Sequence, residues 1–196
     1  MKKLLIAGAA MAALGMASQA HAWTGFGNDT LGPSLIITID SSGVASIGNG
    51  PSFALGPYDG SDDTYIGVVN NYSKSVGSLN LSSSGADIFG FDGDGIDTYG
   101  APGNSTDTTG YGGPMSYFTN INAALTSGTV NFIGGLGAGA QTYFSLEEPL
   151  DTATFRGGGG ITTGGVPEPA TWAMMVLGVA GIGGMLRLGG RKAVTA

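Results

Sequence analysis

The fold class is decided by the stretch Leu35-Ile36-Ile37-Thr38-Ile39-Asp40-Ser41-Ser42-Gly43-Val44-Ala45-Ser46-Ile47. Two short runs rich in β-branched residues flank a four-residue segment that ends in glycine, and this composition is typical of a β-turn. The pattern therefore predicts a β-hairpin with strands over residues 35–39 and 44–47.

Similar short apolar clusters recur along the chain between turn residues. In Val76-Gly77-Ser78-Leu79-Asn80-Leu81 apolar and polar side chains alternate, so one face can be buried and the other hydrated. Further strands are predicted over residues 65–69, 76–81, 88–91, 129–133 and 142–146. Residues 117–125 form the only helix candidate, and 134–139 are predicted to be a loop. The pattern indicates an all-β fold, namely a single antiparallel β-sandwich or jelly-roll-like domain.

The N-terminus has the layout of a secretory signal peptide. Lys2 and Lys3 precede an apolar run over 4–16, and Ala20-His21-Ala22 matches an A-x-A cleavage site. Residues 1–22 are therefore predicted to be a signal peptide, recognised for cleavage through Ala20 and Ala22. The mature chain would begin at Trp23 and form an exported β domain over 23–156.

The exported region is strongly acidic. Between Trp23 and Gly165 there are thirteen carboxylates against Lys74 and Arg156, a formal charge of −11. Such a charge repels nucleic acid and anionic lipid, so no nucleic-acid partner is expected. The chain has no cysteine, and its one histidine, His21, would leave with the signal peptide. A Ser-His-Asp triad, a cysteine nucleophile and an ordinary zinc site are thereby excluded, and we expect that the protein is not an enzyme.

The C-terminus combines a linker, an extended motif and an apolar run. Residues 157–165 are glycine-rich and predict a flexible linker. Val166-Pro167-Glu168-Pro169 follows, and its two prolines favour an extended, accessible backbone. The chain is then uncharged over 170–186, which as a helix spans roughly 26 Å at about 1.5 Å per residue. That length is close to the ~30 Å hydrocarbon core of a bilayer and predicts a transmembrane helix over 170–188.

Basic residues follow the apolar run, at Arg187, Arg191 and Lys192. The positive-inside rule places this end in the cytoplasm and the acidic domain outside. Trp172 is suited to the membrane interface, where its ring is apolar and its N–H remains hydrated. An ordinary single-pass membrane anchor is one interpretation of this segment.

The other interpretation is a sorting signal. Val166-Pro167-Glu168-Pro169, Trp172-Ala173-Met174-Met175, the glycine-rich apolar run and the terminal basic residues resemble, over 166–192, the PEP-CTERM signal of Gram-negative bacteria. In that family an exosortase in the membrane processes the signal. The resemblance implies an exosortase substrate anchored transiently in the inner membrane and then delivered to the cell surface or the exopolysaccharide matrix. One departure is that Leu188-Gly189-Gly190 interrupts the basic cluster.

The segment Phe91-Asp92-Gly93-Asp94-Gly95-Ile96-Asp97 is the sharpest candidate for a ligand site within the domain. Alternate carboxylates on a glycine-rich turn are how a loop wraps oxygen ligands around calcium, so Asp92, Asp94 and Asp97 are candidate calcium ligands. The spacing departs from an EF-hand loop, where Gly103 would stand in place of the bidentate glutamate. A solvated turn without a cation is the alternative, since glycine commonly follows aspartate in turns.

The remaining candidates are carboxylates and aromatic rings. Glu147 and Glu148 are adjacent and would point to opposite faces of a strand, as expected for a charged edge strand rather than for a catalytic pair. Exposed tyrosines on a sandwich would offer a platform for sugar stacking, and core packing is the alternative. The tyrosines are Tyr58, Tyr65, Tyr72, Tyr99, Tyr111, Tyr117 and Tyr143. The expected role is therefore structural or adhesive, with a calcium-dependent or carbohydrate-binding surface module as the alternative.

Overall fold

The computed structural model describes residues 22–155 and 161–165. Over these ranges the chain is all-β, with two short turns of 3-10 helix at Phe53–Leu55 and Ile96–Tyr99. The strands are β1 (Leu35–Ile39), β2 (Ala45–Asn49), β3 (Thr64–Asn70), β4 (Val76–Ser82), β5 (Ser116–Thr119), β6 (Ser127–Leu136), β7 (Gln141–Leu146) and β8 (Ile161–Gly165). The all-β prediction is confirmed.

The strands form two sheets of four. The first sheet has the order β2-β1-β3-β7 and the second has the order β5-β6-β4-β8. The predicted antiparallel pairing fails at β1 and β3, which are parallel with Leu35 opposite Ile66. The reason is that β2 takes the other edge of β1, so the chain crosses back through residues 50–63 and begins β3 at the same end as β1. The Gly50 N–H donates to Ser34 O at 2.7 Å at this crossing.

One hydrophobic cluster joins the two sheets. Alternate residues of β1 (Leu35, Ile37 and Ile39) are fully buried, as period-2 alternation requires. From the second sheet, Val76, Leu79 and Leu81 enter the same cluster. Val76 and Leu79 are three positions apart, and an irregularity in β4 between Val76 and Ser78 returns both to one face. Both sheets therefore use their inner faces to build one core.

The outer face of the first sheet is covered as well. Phe26, Tyr58, Tyr65, Ile96 and Ala101 form a second buried cluster on it, with Tyr143 packed alongside. A Cβ atom at Gly67 of β3 would lie only 2.8 Å from the Trp23 ring, so glycine is what lets this ring lie against the sheet. Loops thus bury a face that a simple sandwich would leave hydrated.

The predicted strand over 88–91 and the predicted helix over 117–125 are both absent, because the local backbone conformation differs from the prediction. Residues 88–91 are not a strand, although Ile88 and Phe89 are buried in the core as apolar turn residues. Residues 117–125 are not a helix, because β5 occupies the first part. Asn120 and Leu125 have φ angles of 54° and 57°, in the left-handed region that no right-handed helix contains.

The predicted linker over 157–165 also needs correction at its end. Its last five residues form β8, an edge strand in which Ile161 lies opposite Leu81 and Thr163 opposite Leu79. Ladder hydrogen bonds use only backbone groups, so a glycine-rich segment can form them. The predicted loop over 134–139 is likewise shorter, because β6 continues to Leu136.

Most predicted targeting segments lie outside the described residues. These are the signal peptide up to His21 and the sorting signal over 166–192 with its predicted helix over 170–188. Among residues 22–155 and 161–165, no helix has the length and apolarity needed to cross a membrane.

Candidate metal centre

Two buried carboxylates meet where β3 begins and β7 ends. These strands are antiparallel, with Thr64 opposite Leu146. Asp63 immediately precedes β3 and Glu147 immediately follows β7, so the strand register brings the two acidic residues side by side. Asp63 is 0% exposed and Glu147 is 9% exposed. This position is costly for carboxylates because burial removes water from their charged form.

The loop before β3 holds Asp62 and Asp63 at the same place. Asp59 accepts hydrogen bonds from the Ser61 N–H at 3.1 Å and from the Asp63 N–H at 3.0 Å, which fixes the shape of the loop. One carboxylate oxygen from each of Asp62, Asp63 and Glu147 lies within 4.8 Å of the others. Asp62 itself is exposed, so this group of three connects the buried pair to solvent.

The two oxygens of Asp63 have different surroundings. The Tyr58 hydroxyl donates to Asp63 Oδ2 at 2.6 Å. Asp63 Oδ1 is buried and has no hydrogen-bond partner among the described residues. A buried carboxylate oxygen normally has such a partner, so Oδ1 lacks a donor or a cation that its charge requires.

Three further carboxylate contacts converge on the buried hydroxyl of Tyr111. This oxygen lies 2.7 Å from Glu147 Oε2, 2.9 Å from Asp94 Oδ1 and 3.1 Å from Asp92 Oδ1. A phenol has one proton and can donate it to one acceptor at a time. The Tyr111 proton therefore bonds one of the three carboxylates at a time, and the other two crowd the same oxygen.

The Asp-rich loop is held against β7 by backbone contacts. The Ile96 N–H donates to Ser145 Oγ at 3.1 Å, and the Ser145 N–H donates to Tyr111 O at 2.8 Å. A Cβ atom at Gly95 would lie 2.4 Å from the Tyr111 ring, so only glycine lets the loop pass this close. These contacts place Asp94 beside Glu147 although the two are far apart in sequence.

The electrostatics of the cluster favour uptake of positive charge. Burial raises the pKa of Asp63 to about 7, and the charges of Glu147, Asp94 and Asp59 add to this rise. Burial likewise raises the pKa of Glu147. The pKa of Asp94 is raised chiefly by its hydrogen bond with Asp92. Lys74 is the only basic side chain within residues 22–155 and 161–165, and it follows the opposite end of β3.

The structure divides the predicted calcium ligands. Asp92 and Asp94 contact the same hydroxyl as Glu147. The Asp97 carboxylate instead accepts a hydrogen bond from the Gly113 N–H at 3.1 Å. Burial, followed by the charge of Asp107, raises the pKa of Asp97 to about 6. The sequence analysis did not predict that Asp62, Asp63 and Glu147 form a cluster. The feature that could have indicated it is that these acidic residues lie next to the ends of two predicted strands.

Glu147 is not the solvent-exposed edge-strand charge that the sequence predicted. β7 is an edge strand of the first sheet, but Glu147 is buried and accepts from Tyr111, so it is not a solvated charge at the edge. Glu148, which follows, has a φ angle of 77° and lies outside the strand. The two glutamates therefore have unrelated environments.

The tyrosines do not form the predicted sugar-stacking platform as a group. Tyr58, Tyr65 and Tyr111 are buried, as the core-packing alternative requires, whereas Tyr99 is 40% exposed. Tyr117 is half-buried and lies opposite Asn131 on neighbouring strands. The predicted sorting residues Val166, Pro167, Glu168, Pro169, Trp172, Arg187, Arg191 and Lys192 lie outside the described residues, as does Ala20, whereas Ala22 is exposed.

A second feature is a polar groove of about 400 Å³ on the second sheet. Side chains from β4, β6 and β8, with Asn120 after β5, form a row across it. Thr129 Oγ1 donates to Asn80 Oδ1 at 2.8 Å, and Asn80 Nδ2 donates to Thr162 Oγ1 at 3.3 Å. The groove is lined by Asn80, Leu81, Ser82, Asn120, Ser127, Gly128, Thr129 and Thr162, none of which is charged. The groove is therefore a neutral surface on an acidic domain.

Comparison of the chain with known proteins found no relative. No protein-family model matches the chain, and neither curated proteins nor solved structures gave a match.

Proposed function

We propose that this protein is an exported β-sandwich protein, sorted and processed through a C-terminal PEP-CTERM signal, with a structural or adhesive role at the cell surface or in the exopolysaccharide matrix. The observation that supports it is the order of the C-terminal residues. The Pro-Glu-Pro motif, the Trp-Ala-Met-Met segment, the apolar run and the basic residues follow one another over 166–192. An exosortase is the proposed processing partner, and the protein acts as its substrate rather than as an enzyme.

The fold is compatible with a module between two temporary signals. The hydrophobic clusters described above are built from residues between the predicted signal peptide and Val166. Cleavage after Ala22 would keep Trp23, whose ring packs on Gly67 of β3. Strand β8 ends at Gly165, directly before the Pro-Glu-Pro motif in sequence. Both proposed cleavages would therefore leave the packing of the two sheets intact.

Replacing Pro167, Glu168 and Pro169 together with alanine tests the sorting proposal. We expect the variant to accumulate unprocessed in the inner membrane of the native host, because the motif read by the processing enzyme is lost. Fractionation followed by intact mass measurement gives the result. The matched control is Glu148→Ala with Pro149→Ala, which changes another Glu-Pro pair and should be processed like the wild type. Normal release of the triple variant would contradict the proposal.

A second candidate function is binding of a neutral polysaccharide in the groove of the second sheet. Uncharged hydroxyl and amide groups suit sugar hydroxyls, and the half-buried Tyr117 lies on the strand that borders the groove. The hydrogen-bonded row through Asn80 fixes the polar groups before any ligand arrives, which lowers the entropy lost on binding.

Affinity electrophoresis in gels containing a neutral β-glucan tests this second function. We expect the wild-type protein to be retarded and Asn80→Asp to lose at least about half of that retardation, because a charge would be introduced and the donor to Thr162 removed. Asn28→Asp makes the same charge change at an exposed site remote in sequence from the groove, and the polysaccharide should retard it as much as the wild type, each relative to its own mobility in a gel without polysaccharide. Equal retardation of all three proteins, or of none, would count against the groove.

A further inference from the structure

We propose that Asp62, Asp63 and Glu147 bind a calcium ion, with Asp94 and Asp92 adding negative charge beside it. The proposed site lies where the start of β3 and the end of β7 meet, on the outer side of the first sheet. It differs from the Asp-rich turn considered from sequence, because two of its three ligands border strands and Asp97 is not included.

The first support is the convergence of carboxylates. One oxygen from each of Asp62, Asp63 and Glu147 lies within 4.8 Å of the others, a spacing at which a single cation can contact all three. Glu147 also contacts the Tyr111 hydroxyl that Asp94 and Asp92 approach. Lys74, the one basic side chain of the described ranges, follows the opposite end of β3 from this cluster.

The second support is independent of that convergence. Asp63 is 0% exposed, and its Oδ1 has no hydrogen-bond partner in the part of the chain that the structure describes. Its other oxygen is already occupied by the Tyr58 hydroxyl. The loop that places Asp63 here is held by the Ser61 and Asp63 N–H groups, which donate to the Asp59 carboxylate. Asp63 therefore brings to this group of three carboxylates a buried oxygen that no donor among the described residues satisfies.

The donor set selects the class of metal. Carboxylate oxygens are hard ligands that suit calcium or magnesium, whereas the described residues contain no histidine or cysteine for softer metals. Calcium accepts several carboxylates in flexible geometry. Magnesium usually keeps most of its water and binds one or two carboxylates. Three carboxylates from two segments, two of them buried, therefore favour calcium.

Calcium at this position would hold the loop before β3 against the end of β7. Its effect would be on the stability of the first sheet and of the loop layer that covers it. This inference does not depend on the sorting proposal, because calcium binding is measured on the purified protein whether or not it is processed.

The test is calorimetric titration of calcium chloride into the purified full-length protein, solubilised in detergent and freed of divalent ions, at pH 7.5. We expect one calcium ion per chain and a melting midpoint that rises by several degrees with millimolar calcium. Asp62→Asn, at an exposed position that should not disturb folding, is expected to weaken binding at least about tenfold. Asp63→Asn and Glu147→Gln should weaken it further. Magnesium should bind at least about tenfold more weakly than calcium.

The matched control is Asp97→Asn, which removes one carboxylate of the same loop outside the cluster and should bind calcium like the wild type. Loss of binding in Asp97→Asn with retention in Asp62→Asn would overturn the proposed ligand set in favour of the Asp-rich turn. Absence of a heat signal and of a shift in the melting midpoint for the wild type would overturn the site altogether. Equal affinity for magnesium would overturn its assignment to calcium.

Discussion

Raising the pH from 4.5 to 7.5 in the presence of chelator is expected to destabilise this protein, by about 5 kcal/mol in the free energy of unfolding. The reason is that buried carboxylates hold protons in the folded state that the unfolded chain has already lost. Burial raises the pKa of Asp29 to about 6, although its hydrogen bond from Ser34 opposes the rise. Burial also raises the pKa of Asp63 to about 7.

The direction of this pH dependence follows from the number of protons bound by the folded and unfolded states. Between pH 4 and pH 7 the folded state binds more protons than the unfolded state, whose aspartates ionise near 3.9. The free energy of unfolding must then fall as pH rises. The stabilisation is complete below pH 4 and is lost as pH passes through the folded-state values of about 6 and about 7. Acidic proteins whose carboxylates are paired with cations show the opposite trend.

Urea unfolding at several pH values measures this dependence, and Asp29→Asn isolates one part of it. Asp29 is 0% exposed and its Oδ1 has no hydrogen-bond partner in the described ranges, so its ionised form is poorly satisfied. The variant should lose part of the decline between pH 5 and pH 7. Substituting the exposed Asp87 with asparagine should leave the shape of the curve unchanged. A free energy of unfolding that rises from pH 4.5 to 7.5 would contradict the burial of these carboxylates.

Local pattern was sufficient where a strand is specified by its own residues. β1 has the predicted bounds because its five residues are β-branched or apolar, and Leu35, Ile37 and Ile39 are buried in alternation with the partly buried Ile36 and Thr38. The local pattern was insufficient where a neighbouring strand determines whether a segment forms a strand. β8 forms from a segment with the composition of a linker, because the exposed edge of β4 offers backbone groups that composition does not reveal.

The candidate metal site also contains residues that the local sequence pattern indicated and residues that only strand pairing brings together. The alternation of aspartate and glycine in the loop after β4 identified Asp92 and Asp94, since turn chemistry is local. Asp63 and Glu147 are separated by most of the domain, and only the register of β3 with β7 makes them neighbours. No periodicity in a single sequence contains that register. Spacing along a loop does not fix the direction in which each carboxylate points, and the Asp97 carboxylate accepts from the Gly113 N–H rather than contacting the Tyr111 hydroxyl.

Replacing Asn70 with alanine is expected to destabilise the protein by about 2 to 4 kcal/mol. Asn70 is fully buried at the end of β3, where the chain passes from the first sheet to the second. Its Nδ2 has two N–H donors and lies 2.8 Å from Leu136 O, 2.9 Å from Lys74 O and 3.0 Å from Gly137 O, so one N–H is shared between two carbonyls. Its Oδ1 accepts from the Tyr72 N–H at 3.0 Å.

These bonds connect two of the crossovers between the sheets. The segment after β3 leads to β4, and the segment after β6 leads to β7, so one amide group satisfies backbone groups of two separate connections. The backbone of Asn70 adds two bonds to the second connection, accepting from the Gly139 N–H and donating to Ala140 O. Alanine would keep these backbone bonds but leave buried carbonyl groups without a donor, which costs more than the loss of an exposed hydrogen bond.

Urea unfolding gives the free energy difference, provided that the slope with denaturant is unchanged. Asn28→Ala is the control, because Asn28 is exposed and its side chain makes one long bond of 3.4 Å to Pro57 O, so a change below about 0.5 kcal/mol is expected. Asn70→Asp should be worse than Asn70→Ala, since a carboxylate would face carbonyl oxygens in place of the amide donor. If Asn70→Ala were as mild as Asn28→Ala, the joining of the two crossovers by this side chain would be refuted.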